Sequence, residues 1–221
     1  MGSSAKISLI SFWVLIFLAI ILWYRNLAYD RLLSILIALF ALSQLIEYGI
    51  HSGSHTQGLA ALNYIILWFE ILVLSVGVYI YLNNTISLII MIFFIIVFLV
   101  AIFNAFMNQH EFQAIVPHEH TGVRNDSIIW LNGDKGLLGK WSWLYILGFV
   151  IGLGLLIFYS SSSTASLSNS VMWITVIIFL YFLLATCLIY TYEKDASGVL
   201  GLSCYGAVGF AFVVYISGVL I

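Results

Sequence analysis

Long apolar runs, separated by shorter polar connections, make up most of this sequence. Apolar and polar residues do not alternate within the runs, and about twenty apolar residues is the length that a membrane-spanning helix needs. Tryptophan and tyrosine lie at many run ends, as they do at membrane–water interfaces. We therefore expect an all-α, polytopic membrane protein, a seven-transmembrane-helix bundle that forms one integral membrane domain over residues 1–221. The predicted spans are residues 7–24, 31–51, 59–82, 86–107, 141–159, 170–192 and 197–220.

The longest connection is the polar loop 108–140, which holds seven of the sixteen charged residues of the chain. A long loop in a compact domain is usually either functional or disordered. Within this loop, residues 127–131 are apolar enough to lie on the membrane surface or to re-enter the membrane. The loop is the main candidate for a structured element outside the spans.

The composition supports a lipid environment and argues against nucleic acid as a partner. With 63% hydrophobic and 7% charged residues, the chain has too little polar surface to face water. The net charge of -2 argues against nucleic-acid binding and against a polybasic lipid-binding surface. We expect an integral, multi-pass protein whose partner is the lipid bilayer. Small, very apolar proteins often owe their surface to other chains, so a homo-oligomer or a larger membrane complex is also expected.

Seven spans place alternate connections on opposite faces of the membrane. We call side A the face that holds the N-terminus, the 52–58 turn, the 108–140 loop and residues 193–195; side B is the opposite face. Lys and Arg number five on side A and two on side B, which favours a cytoplasmic side A. All five histidines map to side A, whichever way the protein is oriented: His51, His55, His110, His118 and His120.

Polar side chains inside the spans concentrate toward side A. Gln44, Glu47 and His51 are spaced i, i+3 and i+7, so they share one face of the second helix. Glu70 lies close to the midplane of the third helix. An acid at the bilayer centre costs about 3 kcal/mol, so such groups face the bundle interior and by default indicate function. A protonated Glu70 that only fastens two helices together is the structural alternative.

These positions predict a polar cavity that opens to side A, with Glu70 near its floor. The leading interpretation is a channel or transporter for protons, cations or a small polar solute. Glu47 and Glu70 would be the proton or cation sites, and the hydrogen-bonding partners would be Gln44, Asn63 and Asn104.

A membrane-embedded metalloenzyme is a second interpretation, because imidazoles and carboxylates share side A. Zinc, copper or iron takes ligands of this kind. The spacing matches no specific metal signature, and a solvated or pH-responsive surface would have the same composition. The candidate ligands are His51, His55, His110, His118, His120, Glu111 and Glu119.

Retinal binding can be rejected from the sequence, whereas a role as a subunit of a membrane complex stays open. A retinal Schiff base needs a lysine within a span, and the four lysines, Lys6, Lys135, Lys140 and Lys194, lie outside the predicted spans, so retinal photochemistry is rejected. The third hypothesis is a non-catalytic subunit or scaffold of a membrane complex. In that role the apolar surface would contact other chains, and the protein would catalyse no reaction.

The first two spans resemble those of a known family. The segments Arg25-Asn26…Tyr29-Asp30-Arg31 and Ser43-Gln44-Leu45-Ile46-Glu47-Tyr48 are similar to an uncharacterised family of multi-span membrane proteins found in large DNA viruses, algae and some microbes. Residues 129–131 and 202–205 resemble its downstream landmarks, although this chain has Ser203 where the family has Trp. The resemblance implies a multi-helix bundle whose second helix carries Gln and Glu.

Overall fold

The computed structural model describes residues 5–26, 29–53, 56–115, 129–132, 138 and 141–160. Within them lie five helices: α1 Ala5–Arg25, α2 Asp30–His51, α3 Thr56–Leu82, α4 Thr85–Met107 and α5 Ser142–Ser160. Their bounds agree with the first five predicted spans to within a few residues. Helices α1 to α4 are long and apolar enough to cross a membrane, and α5 is 19 residues long. The predicted spans 170–192 and 197–220 lie outside the described residues.

The all-α fold class is confirmed in its coarse form, because most of the described residues are helical, and the loop that follows α4 adds a short two-stranded sheet. A 3-10 turn, Gln109–Glu111, leads into strand β1, Phe112–Ile115, which pairs antiparallel with β2, Ile129–Asn132. Phe112 and Ala114 are buried and Gln113 between them is exposed, so β1 has the alternation of a half-buried strand. Residues 129–131, part of the segment predicted to lie on or re-enter the membrane, are paired with β1.

Helix α3 is the central element of the described fold. It contacts α2, α4, α5 and strand β1, whereas α1 packs chiefly against α2. Consecutive helices from α1 to α4 run antiparallel, and α5 runs parallel to α3. Side A therefore holds the start of α1, the α2–α3 turn, the end of α4 and the β1–β2 sheet.

Both turns on side B contain an asparagine with a positive φ angle, and the second turn also has a helix cap. Asn26 and Asn83 have positive φ angles of 53° and 45°, which asparagine adopts more readily than most residues. Asn84 then begins α4 with a capping box, in which its side chain accepts from the Ser87 amide and the Ser87 hydroxyl accepts from the Asn84 amide. Polar side chains thus satisfy the first free amides of an otherwise apolar helix.

Apolar side chains cover the outward faces of the helices as well as the core. Along α1, Trp13 and Phe17 are exposed, and along α4 Val100, Phe103 and Phe106 are exposed. Large apolar faces of this extent are costly in water and normal in lipid. The polar groups instead point inward, where they contact neighbouring helices.

Candidate functional site

Glu70 lies fully buried in the middle of α3, with 0% of its surface exposed. The Tyr145 hydroxyl of α5 donates a hydrogen bond to its Oε2 atom at 2.6 Å. The other oxygen, Oε1, has no hydrogen-bond partner among the residues that the structure describes. Buried carboxyl oxygens are usually satisfied, so an oxygen with spare hydrogen-bonding capacity at this depth is unusual.

The Glu70–Tyr145 contact depends on a close approach of α5 to α3. A Cβ atom at Gly148 would lie 2.7 Å from Ile71 Cγ2 and 2.9 Å from Phe94 Cζ, both too short for a carbon contact. A Cβ at Gly152, one turn further along, would lie 2.6 Å from Leu74 Cδ2. Glycines four residues apart let two helix backbones approach closely in a membrane. They place Tyr145, which precedes Gly148 by three residues, against α3.

Replacing Gly148 with alanine tests this packing, with Gly154→Ala as its matched control. Both substitutions give the same gain in helix propensity, but a Cβ at Gly154 meets no atom within 4 Å in the described part of the chain. The Gly148→Ala protein should have a free energy of unfolding lower than the control by about 1–3 kcal/mol, because overpacking forces side chains to shift. Denaturant titration in detergent measures the difference. Equal stability of the two variants would show that α5 does not pack this closely.

Aromatic rings surround the Glu70–Tyr145 pair. Trp68 meets Tyr145 edge-on, with centroids 6.3 Å apart and an interplanar angle of 88°, and Phe149 lies 5.2 Å from the same ring. Tyr64 packs against Trp68 and also against Phe112 of β1. The tyrosine ring is therefore held on several sides, and an aromatic chain connects it to the sheet on side A.

Glu47 belongs to a different helix interface. The Ser8 hydroxyl of α1 donates to Glu47 Oε2 at 3.3 Å, and the Glu47 side chain is 7% exposed. Leu59 packs against Gly49, so Glu47 is level with about residue 61 of α3. Glu70 lies roughly 13 Å further along the axis at 1.5 Å per residue. The two predicted acids are therefore not brought together, because Glu47 faces α1 and Glu70 faces α5.

The predicted amide partners lie toward side A, where Gln44 and Asn63 are buried and Asn104 is half-buried. Gln44 and Asn63 are each 2% exposed, and Gln44 Nε2 and Asn63 Oδ1 have no hydrogen-bond partner among the described residues. Asn104 Oδ1 accepts a hydrogen bond from Asn108 Nδ2 at 2.7 Å. The Asn104 side chain also hydrogen-bonds the buried hydroxyl of Tyr64. The structure thus links Asn104 to Tyr64 and leaves spare hydrogen-bonding capacity on Gln44 and Asn63.

The candidate metal ligands are only partly within the described residues. His51 is half-buried at the end of α2, and His110 and Glu111 are exposed in the 3-10 turn. His55, His118, Glu119 and His120 lie outside the described residues. In the described part of the chain, no group of three or more His, Cys, Asp or Glu side chains could hold a metal ion. The histidine-based metal site stays a prediction from the sequence.

The partners of the buried acids were not predicted from the sequence. Tyr145, Ser8 and the pair of Arg25 with Asp30 were not among the predicted site residues. A signal for Tyr145 was present, because Tyr145, Gly148 and Gly152 are spaced i, i+3 and i+7 and so share one helix face. A tyrosine on a glycine-lined face is suited to donate its hydroxyl to a group on the helix that approaches there.

Comparison with known proteins adds no family to this description. No protein-family model matches the sequence, and a search of curated proteins gives no significant similarity.

Proposed function

We propose that the protein is a multi-pass membrane channel or transporter in which the carboxyl group of Glu70 takes up and releases a proton. The observation that carries the proposal is the state of its two oxygens: Oε2 is held by Tyr145, while Oε1 has no partner among the described residues. A carboxyl that only fastened helices together would be expected to use both oxygens. This oxygen, without a partner among the described residues, gives Glu70 a position at which a proton can bind.

The distribution of polar groups supports access to Glu70 from side A. Gln44 and Asn63 lie between side A and the depth of Glu70, and each has an unsatisfied polar atom among the described residues. Buried groups of this kind bind water or a small polar solute where there is room for it. In this proposal protons, cations or a small polar solute enter from side A, and Glu47 is an outer site near the entrance.

We also propose that the chain contains two further membrane-spanning helices outside the described residues. The predicted spans 170–192 and 197–220 would complete a seven-helix bundle, and residues 202–205 in the second of them resemble a downstream landmark of the multi-span family. Apolar side chains exposed on α1 and α4 support a lipid environment for this bundle.

Flux measurements in liposomes test the proposal. Purified protein is reconstituted with a trapped pH-sensitive dye, and a potassium gradient with valinomycin supplies the driving force. We expect acidification faster than in empty vesicles prepared with the same lipid. Flux equal to that of empty vesicles, under gradients of both signs, would rule out proton transport.

A non-catalytic subunit of a membrane complex is the second candidate, and the Glu70–Tyr145 hydrogen bond favours it. This hydrogen bond between two buried side chains joins α3 to α5. Such a contact would stabilise a scaffold as well as a transporter. This candidate predicts no flux together with partner proteins that co-purify at a fixed ratio. Flux through the isolated chain would contradict it.

A further inference from the structure

We infer that Tyr145 is a positioning residue, which holds Oε2 of Glu70 so that Oε1 is the oxygen that exchanges the proton. The inference rests on the proposed function, because it names the group that controls the same site. Tyr145 touches the carboxyl directly, at 2.6 Å, and both residues are buried. The direction of the bond matters, since the tyrosine donates and Oε2 accepts.

The proton balance of the site is simple. When Glu70 is neutral, the proton is on Oε1, and Oε2 is the carbonyl oxygen that accepts the tyrosine bond. When the proton leaves Oε1, the negative charge spreads over both oxygens and the same O–H group stabilises it. Tyr145 keeps its own proton throughout. A hydrogen bond to a charged oxygen is about twice as strong as one between neutral groups, so Tyr145 favours release.

The surroundings of Tyr145 explain why its hydroxyl can keep one position. Trp68 and Phe149 both meet the ring in T-shaped contacts, and aromatic pairs of this geometry are favourable. Gly148 and Gly152 set the distance between α5 and α3. The ring and the helix that carries it are therefore both fixed, which is what a positioning group requires.

Infrared spectroscopy of Tyr145→Phe tests this inference without depending on transport. In protein films at acidic pH, the carbonyl stretch of protonated Glu70 is identified as the band that Glu70→Gln removes. We expect Tyr145→Phe to move this band to higher wavenumber, because the carbonyl oxygen loses its donor. Tyr64→Phe is the matched control: it deletes a buried tyrosine hydroxyl that bonds Asn104, and it should leave the Glu70 band in place.

Flux through the same variant gives the second readout. Tyr145→Phe should lower proton flux roughly tenfold, the factor expected when a hydrogen bond to a charged group is lost. An unshifted Glu70 band overturns the inference, whether or not the protein transports. If the Glu70 band shifts in Tyr145→Phe but the wild-type protein shows no flux, the Tyr145 contact is supported. The proposed transport function is then contradicted.

A third measurement covers the case in which Tyr145→Phe does not fold. Growth with 3-fluorotyrosine leaves the sequence unchanged and makes every tyrosine hydroxyl more acidic, and therefore a stronger donor. The Glu70 band should then move to lower wavenumber. A band that stays at its original position would overturn the inference.

Discussion

Replacing Glu70 with glutamine is expected to reduce proton flux to the level of empty vesicles. Glutamine has nearly the same size, and its amide oxygen can still accept the hydrogen bond from Tyr145. It cannot take up and release a proton as a carboxyl group does. The substitution therefore separates loss of proton exchange from loss of packing. The dye assay in liposomes measures flux, and thermal unfolding in detergent checks that the variant keeps its fold.

Glu111→Gln is the matched control for this experiment. Glu111 is exposed in the 3-10 turn on side A, so the same chemical change there removes a solvated charge rather than a buried one. Its flux should stay within about twofold of the wild type, since exposed charges contribute little. If Glu70→Gln retained flux comparable to that of Glu111→Gln, Glu70 could not be the proton site.

The second large effect is expected from Arg25→Ala, which should lower the free energy of unfolding by about 3–5 kcal/mol. Arg25 Nε donates to Asp30 Oδ2 at 2.8 Å, and Arg25 Nη2 donates to Oδ1 at 2.7 Å. Asp30 is only 2% exposed. Removing the guanidinium leaves this carboxylate buried without its bidentate partner, and that cost dominates the change. Denaturant titration in detergent measures it.

Two further variants make the Arg25 prediction specific. Arg31 is exposed and lies 5.8 Å over the Trp23 ring, so Arg31→Ala should cost only about 0.5–1 kcal/mol. The double variant Arg25→Ala with Asp30→Asn should recover most of the lost stability, because it also removes the buried charge. Equal losses for Arg25→Ala and Arg31→Ala would show that the ion pair adds no stability beyond that of a surface cation.

The first five helices could be predicted from the sequence because a hydrocarbon core imposes a length on every span. The run 86–107 differs from α4, Thr85–Met107, by a single residue. The start of α3 was placed three residues late, since Thr56 and Gln57 are polar and yet helical. The bounds of an apolar run in the sequence indicate the apolar part of a helix. They do not indicate where its polar, hydrogen-bonded ends lie.

The β1–β2 sheet could not be predicted in the same way. Each strand has four residues, which is too short to stand out as an apolar run. The strands pair across an intervening stretch of thirteen residues, from 116 to 128, so no short turn sequence marks them as a hairpin. Burial of Phe112 against α3 becomes evident only when the helices are assembled.

The buried acids could be found in the sequence, but their partners could not. Lipid makes an unpaired acid costly, so Glu70 and Glu47 stand out in any apolar run. Tyr145 lies 75 residues after Glu70, and Ser8 lies 39 residues before Glu47. These contacts depend on which helices are neighbours and on their register. The spacing of Gln44 and Glu47 indicated a shared face without indicating that Glu47 meets α1.

The Arg25–Asp30 ion pair also has a consequence for biogenesis. It joins the end of α1 to the start of α2, so the charges of these two residues neutralise each other at the turn. Ser34 donates to the Ala19 carbonyl at 2.7 Å, and Ser8 donates to Glu47, so the two helices satisfy each other's polar groups. An α1–α2 hairpin that leaves the translocon as one unit exposes neither the Asp30 nor the Glu47 carboxyl to lipid alone. Membrane integration of this protein would then begin with two helices together.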